Sequence, residues 1–171
     1  PHVQGNFETN VPGLFIAGEL GGMGLIRNAL RQGVQAVQGI AATSRLLAPV
    51  PEDALDVLVV GAGPAGIAAG LEAKAHELRH VVIEQEQPGG AVRHYPRQKL
   101  VMTEPMQIPL YGAVDLRQAG KEDLLELWDK VIEKTGLQIS SGERLVSLKR
   151  DADDLWQATT TVAHYRARAV V

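Results

Sequence analysis

Three glycines and a glutamate carry the strongest chemical signal in the sequence. Gly61, Gly63 and Gly66 sit in Gly61-Ala62-Gly63-Pro64-Ala65-Gly66, between the apolar run 56–60 and an alanine-rich stretch reaching about Leu78. In such a pattern the first glycine allows a sharp exit from a strand. The second brings backbone up to a pyrophosphate with no Cβ between them, and the third lets the following helix pack close to the sheet. The helix start then offers free N–H groups and a partial positive charge to phosphates. An acid about 20 residues further on, at the end of the next strand, is needed to hold ribose hydroxyls. Glu84 ends the run Val81-Val82-Ile83-Glu84 and lies 84 − 61 = 23 positions beyond Gly61. Its charge repels a 2′-phosphate, so the pattern disfavours NADP here and leaves NAD and FAD both open.

The elements that position these residues follow from patterning. Strand 56–60, glycine turn, helix and strand 81–84 form one βαβ unit of about 30 residues. Upstream, 11–18 is an apolar run bounded by glycines, which predicts a short buried strand. A glycine-rich turn follows, then a helix over about 25–47 with Leu30, Val34, Val37 and Ile40 on its apolar face. The segment Ala48-Pro49-Val50-Pro51-Glu52-Asp53 stops that helix and reads as a linker. Downstream, 85–120 is loop-rich, and 121–135 predicts a helix with Leu124, Leu125, Leu127, Trp128, Val131 and Ile132 on its apolar face. Segments 144–149, 155–162 and 165–171 look like a small antiparallel meander, its last strand rejoining a larger sheet. The expected fold class is α/β: a Rossmann-type parallel sheet with an attached antiparallel β-meander.

The composition narrows the classes further. The chain has 171 residues, a formal net charge of −3, 22% charged and 45% hydrophobic residues, the balance of a soluble, cytoplasmic protein that binds no nucleic acid. It has no cysteine, which excludes a disulfide framework, a thiolate metal site or a redox dithiol within these residues. The longest uncharged apolar stretch, 57–71, is broken by glycines and a proline and is too short to span a bilayer. None of the five histidines falls at metal-ligand spacing with carboxylates, so no metal site is expected. A start at Pro1 and an end inside an apparent strand lead us to expect a segment of a longer polypeptide, whose open sheet edge would allow a homodimer.

Residues 57–84, with Pro64 and Ala65 inside the glycine motif, resemble the FAD-binding entry of the pyridine nucleotide-disulfide oxidoreductase superfamily. The segment Pro12-Gly13-Leu14-Phe15-Ile16-Ala17-Gly18-Glu19 resembles the other FAD signature of that superfamily, normally near its C-terminus. There the acid contacts the ribityl chain; this chain has Glu19 where Asp is usual. Arg31-Gln32 resembles a pair that thioredoxin reductase-like enzymes carry in the following helix. Gly89-Gly90 and Tyr95-Pro96 are similar to the stretch after the adenine-ribose acid, and 100–112 with the helix start 121–125 looks most like the bacillithiol-disulfide reductase type. The resemblance spans about 14–47 and 54–171.

It implies an FAD-dependent NAD(P)H oxidoreductase, with hydride passing from NAD(P)H to FAD and electrons then to a small-molecule or small-protein acceptor. The NAD(P)H would bind outside this segment, which alone would be inactive as a reductase. Implied cofactor contacts are Gly61, Gly63, Pro64, Ala65, Gly66, Glu84, Gly90, Tyr95 and Val146, with Gly18, Glu19, Arg31 and Gln32 from the first segment; no catalytic residue is singled out. A flavin monooxygenase and a non-catalytic dinucleotide-binding module are the alternatives. The two signatures stand in reversed order. We therefore expect the end of one flavoprotein module (1–48), a linker (49–53) and the truncated start of a second FAD-binding domain (54–171), or else a permuted single site.

Overall fold

The computed structural model describes residues 3–18, 26–97, 100–102 and 104–171. Helix α1 (Ile26–Leu46) precedes β1 (Leu55–Val60), α2 (Pro64–Ala75) and β2 (His80–Glu84). A 3-10 turn over Gly90–His94 leads to the short strands β3 (Val101–Met102), β4 (Met106–Ile108), β5 (Gly112–Val114) and β6 (Gln118–Ala119). Then come α3 (Lys121–Thr135), β7 (Ile139–Ser141), β8 (Leu145–Arg150), β9 (Trp156–Thr160) and β10 (His164–Val170).

Six strands form the main sheet in the order β7-β2-β1-β10-β9-β8. The β7-β2-β1-β10 side is parallel, and β10-β9-β8 is the antiparallel meander. The expected α/β class and the return of the last strand to the large sheet are both present. Strand β1 alternates across its pleat: Val57 and Val59 face the main core, Leu58 the smaller cluster on the other side with Ile83 and Trp156.

Helix α2 is buried nearly all round, including Ile67, Ala68, Ala69 and Leu71, because it lies between the sheet and α1. Helix α1 contributes Ile26, Leu30, Val37 and Ile40, at spacings of four, seven and three residues, to the same core. The predicted helix over 121–135 is present, with the Gly120 N–H held by the Asp123 carboxylate at 2.8 Å.

Two elements differ from expectation. The run over 11–18 forms only isolated bridges, Glu8 to Phe15 and Leu14 to Val170. Gly13 is the reason, since its φ of +73° turns the chain before a strand can extend. Strand β7 was not predicted, because three residues with one apolar side chain leave no readable pattern.

The sheet splits at β10. Its first half pairs with β9, whereas Val170 turns to the N-terminal segment, donating to Gly13 O at 2.9 Å and accepting from the Phe15 N–H at 2.8 Å. Residues 13–15 thereby continue the parallel side of the sheet and bring Gly18 towards the carboxyl ends of β1 and β10. That end of an open α/β sheet is where ligands bind.

Candidate functional site: the glycine turn and its cleft

The glycine turn is held by a small set of hydrogen bonds. Gly61 has φ +105°, and its N–H donates to Ile83 O at 2.8 Å, tying the turn to β2. The Ala62 N–H donates to Glu84 Oε2 at 2.7 Å, and the Glu86 N–H to Glu84 Oε1 at 2.9 Å. Glu84 is 7% exposed, so both oxygens are already engaged in bracing the turn, each with acceptor capacity left for a hydroxyl. Ala62 O in turn accepts from the Gly89 N–H at 2.8 Å, which fixes the double-glycine loop beside the motif.

The three motif glycines have separable roles. A Cβ on Gly66 would lie 1.7 Å from Gly61 O, so only glycine lets α2 start this close to the turn. Among the described residues, a Cβ on Gly63 would meet nothing nearer than the Gly90 Cα at 3.8 Å, leaving open space on that side. Helix α2 starts at Pro64, which has no N–H, and its N-cap residue, Gly63, has no side chain to cap it. The following amides therefore point along the axis towards that opening, a ready phosphate cradle.

A cleft of about 450 Å³ runs from this turn along the end of the sheet. Gly61, Gly63, Glu84 and Gly90 line it on one side, Glu143, Arg144 and Leu145 on the other. His94 stands at its wall and contacts Glu86, Nε2 to Oε2, at 3.3 Å. Tyr95 is half-buried against the main core. Val146 is 56% exposed on β8, and the cleft wall is formed by the residues just before it.

Glu143 is a buried group that sequence reasoning did not single out. It is 2% exposed, accepts from the Thr160 hydroxyl at 2.6 Å and the Tyr165 phenol at 3.2 Å, and its N–H donates to Glu84 O at 2.9 Å. Burial pushes its carboxyl pKa up, but hydrogen bonds from Ser140, Thr160 and Tyr165 outweigh this and hold it below the ordinary value. Burial, then the Glu143 carboxylate, push the Tyr165 phenol up. Its signal is invisible in sequence, because the hydroxyls that bury it come from β7, β9 and β10.

The first segment reaches this turn. Gly18 has φ +91°, and its N–H donates to Gln32 Oε1 at 2.8 Å. A Cβ on Gly18 would lie 3.0 Å from the Ala65 Cβ, and one on Gly33 would lie 2.1 Å from Ala65 O. Helix α1 therefore crosses α2 at its first turn, backbone against backbone. Gln32 spends its amide oxygen on the Gly18 turn, and Glu19 lies outside the described residues. Arg31 faces a second, larger cavity of about 880 Å³ between α1 and residues 105–112, with Arg27 and Glu72. Arg27 is ion-paired to Glu104 across it.

Among the described residues no group of three or more His, Asp or Glu is placed to hold a metal ion, and no helix is long and apolar enough to cross a membrane.

Known proteins resemble this chain in sequence or in fold. The thioredoxin reductase of Mycoplasma pneumoniae is 40% identical over 63 residues, 33% of this chain and 20% of that protein. That of Ureaplasma parvum is 27% identical over 116 residues, 66% of this chain and 35% of that protein. The chain thus spans about a third or less of the length of these curated relatives. Among solved structures, a bacillithiol disulfide reductase from Staphylococcus aureus superposes with TM-score 0.60 at 19% identity, covering 67% of this chain and 36% of its own. A flavin-containing monooxygenase from Stenotrophomonas maltophilia gives TM-score 0.61 at 23% identity, covering 69% and 37%. These two share the fold. Residues 58–171 match the model of the pyridine nucleotide-disulphide oxidoreductases, and the chain belongs to that family.

Proposed function

We propose that this chain is the FAD-holding part of a flavoprotein oxidoreductase that takes its electrons from NAD(P)H. The observation that carries this reading is the open space at Gly63, faced by the uncapped start of α2 and flanked by Glu84. The thioredoxin reductase relatives and the family match support it. The residues present fit the group. Backbone amides of the Gly61–Gly66 turn would take the pyrophosphate, and Glu84 the adenine-side ribose through the lone pairs it does not spend on Ala62 and Glu86. Gly90 leaves room beside Gly63, and Tyr95 and Val146 would contact the group from the loop after β2 and from β8. Gly18, Glu19, Arg31 and Gln32 would serve the ribityl and flavin side.

A flavin held here would supply the redox chemistry between NAD(P)H and a small-molecule or protein acceptor. The protein positions it. Glu84 orients the adenosine end and repels a 2′-phosphate, and the α2 dipole neutralises part of the pyrophosphate charge. The sequence has one glycine fingerprint, so the nicotinamide is assigned to a part of the protein outside these residues. The segment alone should then oxidise no NAD(P)H at a useful rate.

The test is an absorption spectrum of the purified chain after loading with FAD and removal of the excess. A retained flavin spectrum supports the reading. A colourless protein that binds NAD instead assigns the turn to a nicotinamide, and one that binds neither overturns it.

A further inference from the structure

The segment between the two signatures does not behave as a linker. Arg79, at the entry to β2, donates from its guanidinium to three successive carbonyls: Val50 O at 2.7 Å, Pro51 O at 2.9 Å and Glu52 O at 3.2 Å. Arg166 on β10 gathers Asp53 at 2.8 Å, Asp151 at 2.8 Å and Asp153 at 2.6 Å, joining the connector to the β8–β9 turn. Arg168 donates to Ala48 O. Beneath them Val50 and Ala54 are buried with Leu155. A connector between independent modules keeps its backbone in water and few contacts cross it. Here the stretch 48–54 is strapped to the body by three arginines and a small apolar cluster.

The strap faces the same body that the first segment joins. The Trp156 indole N–H donates to Gly13 O at 3.1 Å, Arg150 donates to Pro12 O, and Phe15 bonds to Val170. Gly18 and Gly33 close on Ala65, the middle of the glycine motif.

We infer that residues 3–18 and 26–47 join the described residues from 55 onward in one composite dinucleotide site within a single chain, in reversed order, with 48–54 as a structural strap. The flavin identity of that site rests on the function proposed above; the cis assembly does not. Exchange of the first segment with another copy or module would require stripping the strap from Arg79, Arg166 and Arg168. The strap therefore selects the cis site.

The chain has no cysteine, so one engineered pair reports without background. Leu14 and Val170 are partners in a parallel bridge. Neighbouring strands lie about 4.7–4.9 Å apart, and disulfides need Cα separations of about 4.4–6.8 Å. Leu14→Cys with Val170→Cys should oxidise to an intramolecular disulfide, seen as a fast-migrating monomer on a non-reducing gel. Disulfide-linked dimers as the main product overturn the inference.

Should the double variant fail to fold or stay reduced, limited proteolysis after Glu52 in the unaltered chain decides. Cleavage should be at least tenfold slower there than after Glu77, an exposed residue outside the strap, and Arg166→Ala should remove that protection. Equal rates at the two sites overturn the strap. A cross-linked monomer that retains no FAD leaves the cis assembly standing and removes the flavin reading.

Discussion

At the residue scale, Gly63 and Gly66 separate binding from folding. Gly63 has φ −74°, which any residue adopts, and a Cβ there meets only ordinary contact. Gly63→Ala should therefore leave stability within about 0.5 kcal/mol, while FAD affinity falls at least about tenfold, or about 1.4 kcal/mol. Thermal unfolding and a flavin titration on the same sample check both halves. Unchanged affinity would show that the pyrophosphate does not lie over Gly63. Gly66→Ala drives a Cβ into Gly61 O, and neither backbone can yield. It should cost about 1–3 kcal/mol or more in stability and lose the flavin as well.

Glu143 adds a pH dependence whose sign is set by its environment. Its carboxyl pKa is held below the ordinary value in the folded state, so the stabilisation is complete above the ordinary carboxylate pKa. It is lost as pH falls through the lower, folded value. Glu143→Gln should be less stable than the parent by about 1–3 kcal/mol at pH 7. The gap should narrow below about pH 4, near the unfolded glutamate pKa. Urea unfolding at several pH values measures it, and a pH-independent gap would contradict the assignment.

At the scale of elements, the crossing of α1 over α2 decides whether the two signatures meet. Gly33→Ala places a Cβ 2.1 Å from Ala65 O and must push the helices apart. Overpacking of this kind costs about 1–3 kcal/mol. The Gly18 turn, hung from Gln32 one residue earlier, should move with α1, so flavin affinity should fall although Gly33 is not a proposed contact. A melting curve and an FAD titration test this, and a loss of stability with affinity intact would detach Gly18 from the site. The elements themselves were largely legible. The helices at 26–46 and 121–135 announce themselves by apolar residues three and four apart, and β1 and β2 by continuous apolar runs between turn residues. Strand β7 was not, since its place is set by pairing with β2 and its own three residues carry no period. The predicted strand over 11–18 was overstated because a single glycine with positive φ limits its pairing to isolated bridges with Glu8 and Val170.

For the whole molecule, the strap carries its own titration. Arg166, by hydrogen bonding and by charge, holds Asp53 and Asp151 below the ordinary aspartate value. Folded values that are depressed give stabilisation above the ordinary pKa and lose it as pH falls. Cleavage within 48–53 by an acid-tolerant protease should accordingly rise on acidification before the body unfolds. A strap that stays protected until global unfolding would show that the carboxylates contribute nothing.

Taken alone, the sequence determined the α/β class, the βαβ unit and the candidates Gly61, Gly63, Gly66 and Glu84, because these depend on local φ, on the absence of a Cβ and on short periods along the chain. It also marked 49–53 as the point of discontinuity, since two prolines within three residues end any helix. Only the tertiary structure decided what that point is. The groups that hold it, Arg79, Arg166 and Arg168, lie 27 to 120 residues away from their partners in the connector. The same holds for Glu143, held by the Thr160 and Tyr165 hydroxyls 17 and 22 residues away, and for Gln32, which is turned to Gly18. Each depends on contacts between distant residues, and such contacts leave no local trace in composition or periodicity.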